Sequence, residues 1–374
     1  MNNMKMLAAC LASAVTVSCA AAPSFAKETK NNSPEKITMC LDWTPNTNHT
    51  GLYVALSKGY YEESGLDVEI VQPPENGAVQ MCAAGQAQFS IDAQDTLLPS
   101  FNLDEPLPVT AVAAILQHNT SGILSRAGEG MDTPKGLEGH TYSTWESPSE
   151  LAIMQNVVEK DGGDWDKVTL IPNDITDEPG ALAARQTDAI WVFYGWGYIN
   201  SQIEGVDCDW FYFKDINPVF DYYTPVIIAN NDFLKEEPET ARKFLAATAK
   251  GYEFAAQHPD EAAEILIEGD TTGALKESGD LVKKSQKYMA GQYIADASSW
   301  GYIDPKRWND FYSWMYKNKL TDKDLSDNVG FSDDYLPQDS GAQTESVQTE
   351  AGQTESVQTE SVQTEAGQTE AGQP

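Results

Sequence analysis

Short apolar segments alternate with amphipathic ones along most of this chain, and that alternation predicts strands followed by helices. The first predicted strand, KITMCL, ends at a Trp-Thr-Pro turn, and the first predicted helix lies in GLYVALSKGYY. The turn between them carries Trp43, Asn46, Asn48 and His49. With the unpaired N–H groups of a helix N-terminus, these side chains form a wall that can hold a small flat polar molecule. The alternative is a plain capped helix, with Asn48 or Thr50 as its cap.

A second polar group comes after the short strand predicted at 87–91. That strand delivers Asp92, Gln94 and Asp95 at its C-terminal end, where ligands collect in open α/β sheets. The alternative is a capped helix that begins near Asp95. The next run, PVTAVAAIL, is apolar throughout and predicts a strand covered on both faces, and SGILSRA predicts another short strand.

A Gly-rich link from Gly128 opens a second set of strands and helices. Its turn STWESPSE, with Glu146 before a helix start, repeats the design of the opening turn. The strand predicted at 189–193 ends in three aromatic residues, Tyr194, Trp196 and Tyr198. One small core cannot bury all three without satisfying their polar tips, so at least one is expected to face a cleft. The alternative is an aromatic corner that packs the lobe.

These patterns, in a chain of 374 residues, predict an α/β protein of two lobes. The strand after Tyr223 returns towards the first lobe, which is therefore expected to be discontinuous. The predicted divisions are a signal peptide at 1–26, a first lobe at 27–127 and 225–336, a second lobe at 128–224, and a tail at 337–374. The tail repeats QTESV or QTEAG with almost no bulky apolar residues, which predicts disorder.

The N-terminus has the features of a secretory signal: Lys5, an apolar run, and small residues before Ala26. Two processing routes stay open. Cys19 follows TVS, a lipoprotein-type box that would leave a lipid anchor, whereas cleavage after Ala26 would leave a free protein. No later apolar run approaches the roughly 20 residues needed to cross a bilayer. The mature chain is therefore predicted to be exported, and to be periplasmic or on the cell surface.

The formal charge of −33, from 24 Lys and Arg against 57 Asp and Glu, argues against nucleic acid or an anionic membrane as the main partner. The chain has no P-loop, GxGxxG, GxSxG or HExxH motif, and its four histidines lack metal-ligand spacing. Cys40, Cys82 and Cys208 have no CxxC spacing. We therefore predict no catalytic centre, metal or cofactor. A binding protein whose cleft closes on a small molecule explains the pattern better.

Four segments resemble the thiamine-pyrimidine-precursor binding proteins: DWTPNTNHTGLYVALSKGYY, TYSTWESPSE, DAIWVFYGWGYI and DYYTPVIIANNDFLKEEPETARKFL. Those proteins are periplasmic or cell-surface components of an ATP-driven (ABC) importer, in a family that also holds the eukaryotic thiamine pyrimidine synthases. The similarity extends from about Lys36 to about Leu266. It implies a two-lobe type II periplasmic-binding-protein fold with a ligand cleft between the lobes. It also implies a formylaminopyrimidine-type ligand and delivery to a membrane permease for thiamine salvage, and we expect a monomer.

The ligand contacts that the resemblance implies are Trp43, Asn46, Asn48, His49, Asp92, Glu146, Tyr194, Trp196 and Tyr223. Trp43 and either Tyr194 or Trp196 would stack on the pyrimidine, and the polar groups would hydrogen-bond its edge. An aminopyrimidine has two flat faces and a donor–acceptor edge, which such side chains match. The sequence departs from the family at Gly197, where an acidic residue is expected after YGW.

Two alternatives stay open. The synthases resemble enzymes that use lysine-bound pyridoxal phosphate, a histidine of the protein itself, and iron at a cysteine-rich segment. This chain has DYYTPVII where the cysteine cluster is expected, and SIDAQDTLL holds neither the lysine nor the histidine. An export signal also fits poorly with a cytosolic cofactor. The second alternative is a binder of another small solute, such as a sulfonate.

Overall fold

The computed structural model describes residues 33–172 and 175–337. The predicted signal peptide, the lipid anchor at Cys19 and the repeat tail concern residues outside these ranges. Within them, no helix combines the length and the apolar character that crossing a bilayer requires.

The strands of the described chain form two five-stranded sheets. They are β1 (Glu35–Cys40), β2 (Leu66–Val71), β3 (Phe89–Asp92), β4 (Val109–Ala114), β5 (Ser121–Arg126), β6 (Thr141–Thr144), β7 (Thr169–Pro172), β8 (Ala189–Phe193), β9 (Cys208–Tyr212) and β10 (Val226–Asn230). The first sheet has the order β2-β1-β3-β10-β4 and the second β7-β6-β8-β5-β9. In each sheet three parallel strands are followed by one strand that runs antiparallel to both of its neighbours, β10 in the first sheet and β5 in the second.

The chain crosses between the sheets at these two antiparallel strands. The first crossing lies between β4 and β5, because β5 pairs with β8 and β9 of the second sheet. The predicted first lobe, which extended to residue 127, therefore included one strand that belongs to the second sheet. The hydrophobic pattern did not reveal that β5 belongs to the second sheet, because a short buried strand has the same apolar sequence in either sheet. The chain re-enters the first sheet at Val226.

Helices cover both sheets, which confirms the predicted α/β class. They are α1 (Thr50–Ser57), α2 (Tyr60–Glu63), α3 (Ala78–Ala83), α4 (Gln94–Asn102), α5 (Pro148–Lys160), α6 (Glu178–Ala183), α7 (Ile199–Glu204), α8 (Phe213–Ile216), α9 (Asn231–Glu236), α10 (Pro238–Gln257), α11 (Pro259–Gly269), α12 (Ala274–Glu277), α13 (Gly279–Met289) and α14 (Pro305–Lys317). A 3-10 turn, Thr47–His49, leads into α1, and a π-helical turn, Tyr194–Tyr198, comes directly after β8.

Helix α1 packs against α10 at a distance that only glycine permits. A Cβ atom on Gly251 would lie 2.0 Å from the carbonyl oxygen of Gly51, and one on Gly51 would lie 2.2 Å from the ring of Tyr252. The hydroxyl of Tyr252 donates a hydrogen bond to the carbonyl of Asn48 at 2.7 Å. The close packing therefore fixes the polar turn before α1 relative to the core of the first lobe.

Replacing Gly251 with Ala should destabilise the protein, because the new methyl group meets backbone atoms that cannot rotate away. Overpacking of this kind costs about 1–3 kcal/mol of unfolding free energy. Urea denaturation followed by circular dichroism measures the loss. Lys243→Ala, at an exposed position of the same helix, is the control and should change stability by less than about 0.5 kcal/mol. Equal effects of the two substitutions would contradict the packing argument.

Candidate ligand-binding site

A cleft of about 460 Å³ opens between the two sheets, at the end of the structure where β1, β3, β6 and β8 terminate. That volume suits a small heteroaromatic molecule. Its lining residues come from both lobes and from the second crossing segment: Asp42, Asp92, Ala93, Asp95, Thr96, Trp145, Ser147, Ser149, Glu150, Trp191, Phe193, Tyr222 and Thr224. Ligands collect at the carboxyl ends of strands in open sheets of this kind.

The first lobe contributes carboxyl groups to the cleft. Asp42 follows β1, Asp92 ends β3, and Asp95 lies in the first turn of α4. One oxygen of Asp92, Oδ1, accepts hydrogen bonds from the backbone N–H of Ala93 at 2.7 Å and from the hydroxyl of Thr96. The other oxygen takes no described hydrogen bond and is available to a ligand.

Burial raises the pKa of two of these carboxyl groups, Asp92 and Asp95. It raises the pKa of Asp92 to about 6, against hydrogen bonds from Thr96 and Ala93 that lower it. The pKa of Asp95 is likewise raised to about 6 by burial, although the hydroxyl of Tyr222 and nearby backbone N–H groups favour its charged form. No Lys or Arg is among the described lining residues. The cleft therefore holds acceptors without a built-in cation, which favours a ligand rich in N–H donors and disfavours an anion.

The second lobe contributes a turn that Glu150 organises. The buried Glu150 carboxylate accepts hydrogen bonds from the hydroxyls of Tyr142 at 2.5 Å and Thr144 at 3.0 Å. It also accepts from the backbone N–H groups of Trp145 at 3.1 Å and Ser147 at 3.3 Å. These bonds fix the shape of the turn, in which Glu146, between Trp145 and Ser147, has a positive φ of 59°. They present the Trp145 side chain to the cleft with 51 % of its surface exposed.

Aromatic side chains form the rest of the second-lobe wall. Trp145 and Trp191 have ring centroids 5.9 Å apart, and Trp191 is backed by Phe213 at 4.2 Å. Phe193, at the end of β8, lines the same cleft and is also exposed. The cleft thus places aromatic surface on one side and carboxyl groups on the other, an arrangement that accepts a flat ring with polar edges.

The polar turn before α1 takes a different role from the predicted one. His49 is fully buried and hydrogen-bonds Asp42 at 2.7 Å, and Asp42 lines the cleft. Asn46 is the cap of the turn, where its side-chain oxygen accepts from the N–H of Asn48 at 2.9 Å. Trp43 is 65 % exposed next to Asp42, outside the lining residues of this structure.

The predicted aromatic group after β8 packs against a helix of the first lobe. Tyr194 lies 4.5 Å from Tyr198 and 4.7 Å from Tyr288 of α13, measured between ring centroids, and Trp196 contacts the core of the first lobe. Neither Tyr194 nor Trp196 is among the lining residues, whereas their neighbour Phe193 is. The packing of these rings is closer to the alternative prediction, an aromatic corner, than to a place in the cleft lining.

Of the remaining predicted contacts, Asp92 lines the cleft and Tyr223 does not. The hydroxyl of the buried Tyr223 accepts from the N–H of Asp304 at 2.8 Å. Glu146 is exposed on the turn between the lining residues Trp145 and Ser147. The residues that sequence reasoning missed are Asp42, Trp145, Trp191, Phe193 and Tyr222. Several of them adjoin a predicted residue in the sequence, so the predicted segments border the cleft.

No metal centre is evident in the part of the chain that the structure describes. None of its groups of His, Cys, Asp and Glu brings three such residues together in a way that could hold an ion.

This chain is similar to known proteins in sequence and in fold. The family model described as "NMT1/THI5 like" matches residues 46–262, more than half of the chain. The chain is 29 % identical over 289 residues to the formylaminopyrimidine-binding protein of Halalkalibacterium halodurans, covering 75 % of this chain and 84 % of that protein. It is 26 % identical over 260 residues to the 4-amino-5-hydroxymethyl-2-methylpyrimidine phosphate synthase THI13 of Saccharomyces cerevisiae, covering 63 % and 72 %.

Solved structures confirm the predicted two-lobe fold of periplasmic binding proteins. The alkanesulfonate-binding protein SsuA from Xanthomonas axonopodis pv. citri has a TM-score of 0.60 at 11 % identity, covering 80 % of this chain and 99 % of that one. The periplasmic nitrate-binding protein NrtA from Synechocystis has a TM-score of 0.61 at 13 % identity, covering 81 % and 87 %. At such identities the likeness concerns the fold alone.

Replacing Glu150 with Gln should loosen the turn that carries Trp145. The amide NH2 of Gln cannot accept, so hydroxyl and N–H donors around residue 150 lose a partner, at about 1–3 kcal/mol of unfolding free energy. Glu146→Gln makes the same chemical change on the exposed side of the same turn and should be nearly neutral. Urea unfolding monitored by tryptophan fluorescence compares the two. A loss no larger for Glu150→Gln than for Glu146→Gln would show that Glu150 does not organise the turn.

Proposed function

Because this chain belongs to the NMT1/THI5-like family, we propose that it is an extracytoplasmic binding protein that captures an aminopyrimidine precursor of thiamine, of the formylaminopyrimidine type. The two lobes close on the ligand, and the loaded protein delivers it to the membrane permease of an ATP-driven importer. The similarity to the formylaminopyrimidine-binding protein of Halalkalibacterium halodurans, which covers 75 % of this chain, supports the proposal. In this role the protein catalyses no reaction and acts as a monomer.

One observation carries the proposal. Carboxyl groups without a neighbouring Lys or Arg among the described lining residues lie on one side of the cleft, and exposed aromatic rings lie on the other. An aminopyrimidine presents an exocyclic amino group and ring nitrogens along one edge of a flat ring. In the proposed complex Asp92 and Asp42 accept N–H bonds from that edge, and Trp145 and Phe193 pack on the ring face. Trp43, exposed beside Asp42, covers the ring from the first lobe as the cleft closes.

The acidic lining argues against a sulfonate ligand. SsuA and NrtA are, by their names, binders of anions, and they share the fold. A sulfonate placed beside Asp42, Asp92 and Asp95 would meet like charges in a partly dry cleft with no lining Lys or Arg to offset them. Shared fold therefore does not extend to shared ligand here.

The residues in the cleft also argue against a synthase. SIDAQDTLL, the segment where the resemblance implies a lysine and a histidine, supplies Asp92 and Asp95 to the cleft. Burial raises the pKa of the Cys40 thiol to about 11 and that of Cys82 to about 12, so both stay protonated and unreactive near neutral pH. The residues present fit neither a cofactor-bearing lysine nor an iron-binding cysteine cluster.

Formylaminopyrimidine should raise the melting temperature of the purified protein in a thermal-shift assay. A ligand that binds only the folded state at about 100 times its Kd adds about 2.7 kcal/mol to the unfolding free energy. An alkanesulfonate and nitrate are the matched negative controls, because proteins of the same fold are named for them. Stabilisation by the sulfonate with no effect of any pyrimidine would overturn the proposed ligand class.

Asp92→Asn should weaken ligand binding and stabilise the ligand-free protein. The folded pKa of about 6 lies above the ordinary value of 3.8, so the folded state holds a proton between these pH values that the unfolded state does not. The stabilising contribution of this group is therefore complete below about pH 4 and is lost as pH rises through 6. Asn mimics the protonated form and should add roughly 1–2 kcal/mol at pH 7.5 and little at pH 4.

Thermal unfolding at the two pH values and titration calorimetry at pH 7.5 measure both effects of Asp92→Asn. Asp67→Asn, on an exposed position of β2, is the control for removing one negative charge. We expect at least a tenfold loss of affinity for Asp92→Asn only. A variant that binds normally would remove Asp92 from the proposed site.

A further inference from the structure

We propose that His49 is a positioning residue that fixes the carboxylate of Asp42 for the ligand without touching the ligand itself. The inference rests on the proposed function for the nature of the ligand, and on hydrogen-bond geometry for the role of the histidine. It replaces direct contact between His49 and the pyrimidine, which the sequence suggested, with an indirect role.

The hydrogen bonds of His49 define its tautomer. The backbone N–H of Asn46 donates to Nδ1 at 3.2 Å, so Nδ1 carries no proton. The proton of a neutral imidazole then lies on Nε2, which donates to Oδ1 of Asp42 at 2.7 Å. Both ring nitrogens are therefore used, and the side chain has no exposed surface through which to reach a ligand.

A neutral histidine orients Asp42 without cancelling its charge. A Lys or Arg in the same place would form an ion pair and remove the electrostatic reason for an N–H-rich ligand to bind. With His49, one oxygen of Asp42 is fixed by the Nε2–H hydrogen bond. The Asp42 side chain remains 34 % exposed and lines the cleft, so its second oxygen can accept from the ligand.

The segment that carries His49 is tied to the first lobe from several directions. The hydroxyl of Tyr293 donates to the carbonyl of Thr47 at 2.7 Å, and Thr47 shares a hydrogen bond of 2.6 Å with Ser285 of α13. Thr50 donates to Gln286 of the same helix at 2.7 Å. With the Tyr252 bond to Asn48, these contacts hold the imidazole rigidly, as a positioning group requires.

A double-mutant cycle separates positioning from simple structural damage. His49→Leu removes the donor, and formylaminopyrimidine affinity, measured by calorimetry on the full protein, should fall about tenfold. His49→Gln, whose amide N–H can reach Asp42, should restore affinity to within about threefold of wild type. In an Asp42→Asn background, His49→Leu should cost no further affinity, because the group through which it acts is gone. Thr248→Val, which loses the buried hydrogen bond of 2.9 Å to Tyr61 away from the turn of His49, is the control: it should lower the melting temperature and leave affinity unchanged.

Additive losses from His49→Leu and Asp42→Asn would overturn the inference, as would unchanged affinity in His49→Leu. A second readout needs no ligand: ¹⁵N NMR of the imidazole should show the Nε2–H tautomer, and Asp42→Asn should weaken the hydrogen bond of that proton. An Nδ1–H tautomer would also overturn it. If wild-type protein binds no pyrimidine, the proposed function fails, and the NMR result alone then decides whether His49 orients Asp42.

Discussion

Burying carboxyl groups in a cleft with no lysine or arginine among its described lining residues is the constraint on which the rest of this structure depends. Removing a carboxylate from water is costly unless hydrogen bonds compensate for the lost solvent. The chain supplies those bonds from neutral donors: Ala93 and Thr96 for Asp92, Tyr222 for Asp95, and His49 for Asp42. The compensation is incomplete, as the raised pKa values of Asp92 and Asp95 show. In the proposed function, an N–H-rich ligand supplies the further hydrogen bonds, which makes the acidic cleft selective for such a ligand.

The fold serves that constraint by ending several strands at one place and bracing the turns that extend from them. Asp42 and Asp92 continue β1 and β3, while the Glu150-supported turn continues β6. Helices that lie about 200 residues later in the sequence support the turn before α1. The glycine contact between α1 and α10 and the hydrogen bonds from α13 hold the turn of His49. Two strands, β5 and β10, come after the only crossings between the sheets in the described residues, so the lobes can close by bending at a few positions.

The sequence was sufficient for the α/β class, the two-lobe fold and the segments that border the cleft, but not for which side chain in each segment lines the cleft. Trp43, Glu146, Tyr194 and Tyr223 each adjoin a lining residue: Asp42, Trp145, Phe193 and Tyr222. Neighbouring side chains point in different directions, so a shift of one position leads from a cleft residue to one that is packed, as Tyr194 and Tyr223 are, or exposed outside the cleft lining, as Trp43 and Glu146 are. Periodicity cannot correct it at strand ends, where the alternation stops. The assignment of β5 to the second sheet was missed for a related reason, since pairing partners are set by tertiary packing.

Relatives of this chain include both a binding protein and a synthase, so the choice between capture and chemistry must come from the side chains in the cleft and not from the fold. Covalent cofactor chemistry needs an amine nucleophile at such a position and a way to bind a metal or a phosphate. This chain presents two half-buried carboxyl groups, Asp92 at the end of β3 and Asp95 in the first turn of α4, which repel phosphate and offer no nucleophilic nitrogen. The same groups are well suited to hold an aminopyrimidine reversibly, because hydrogen bonds to a carboxylate form and break without covalent change. The chemistry of the cleft residues therefore bears on function more directly than the overall fold does.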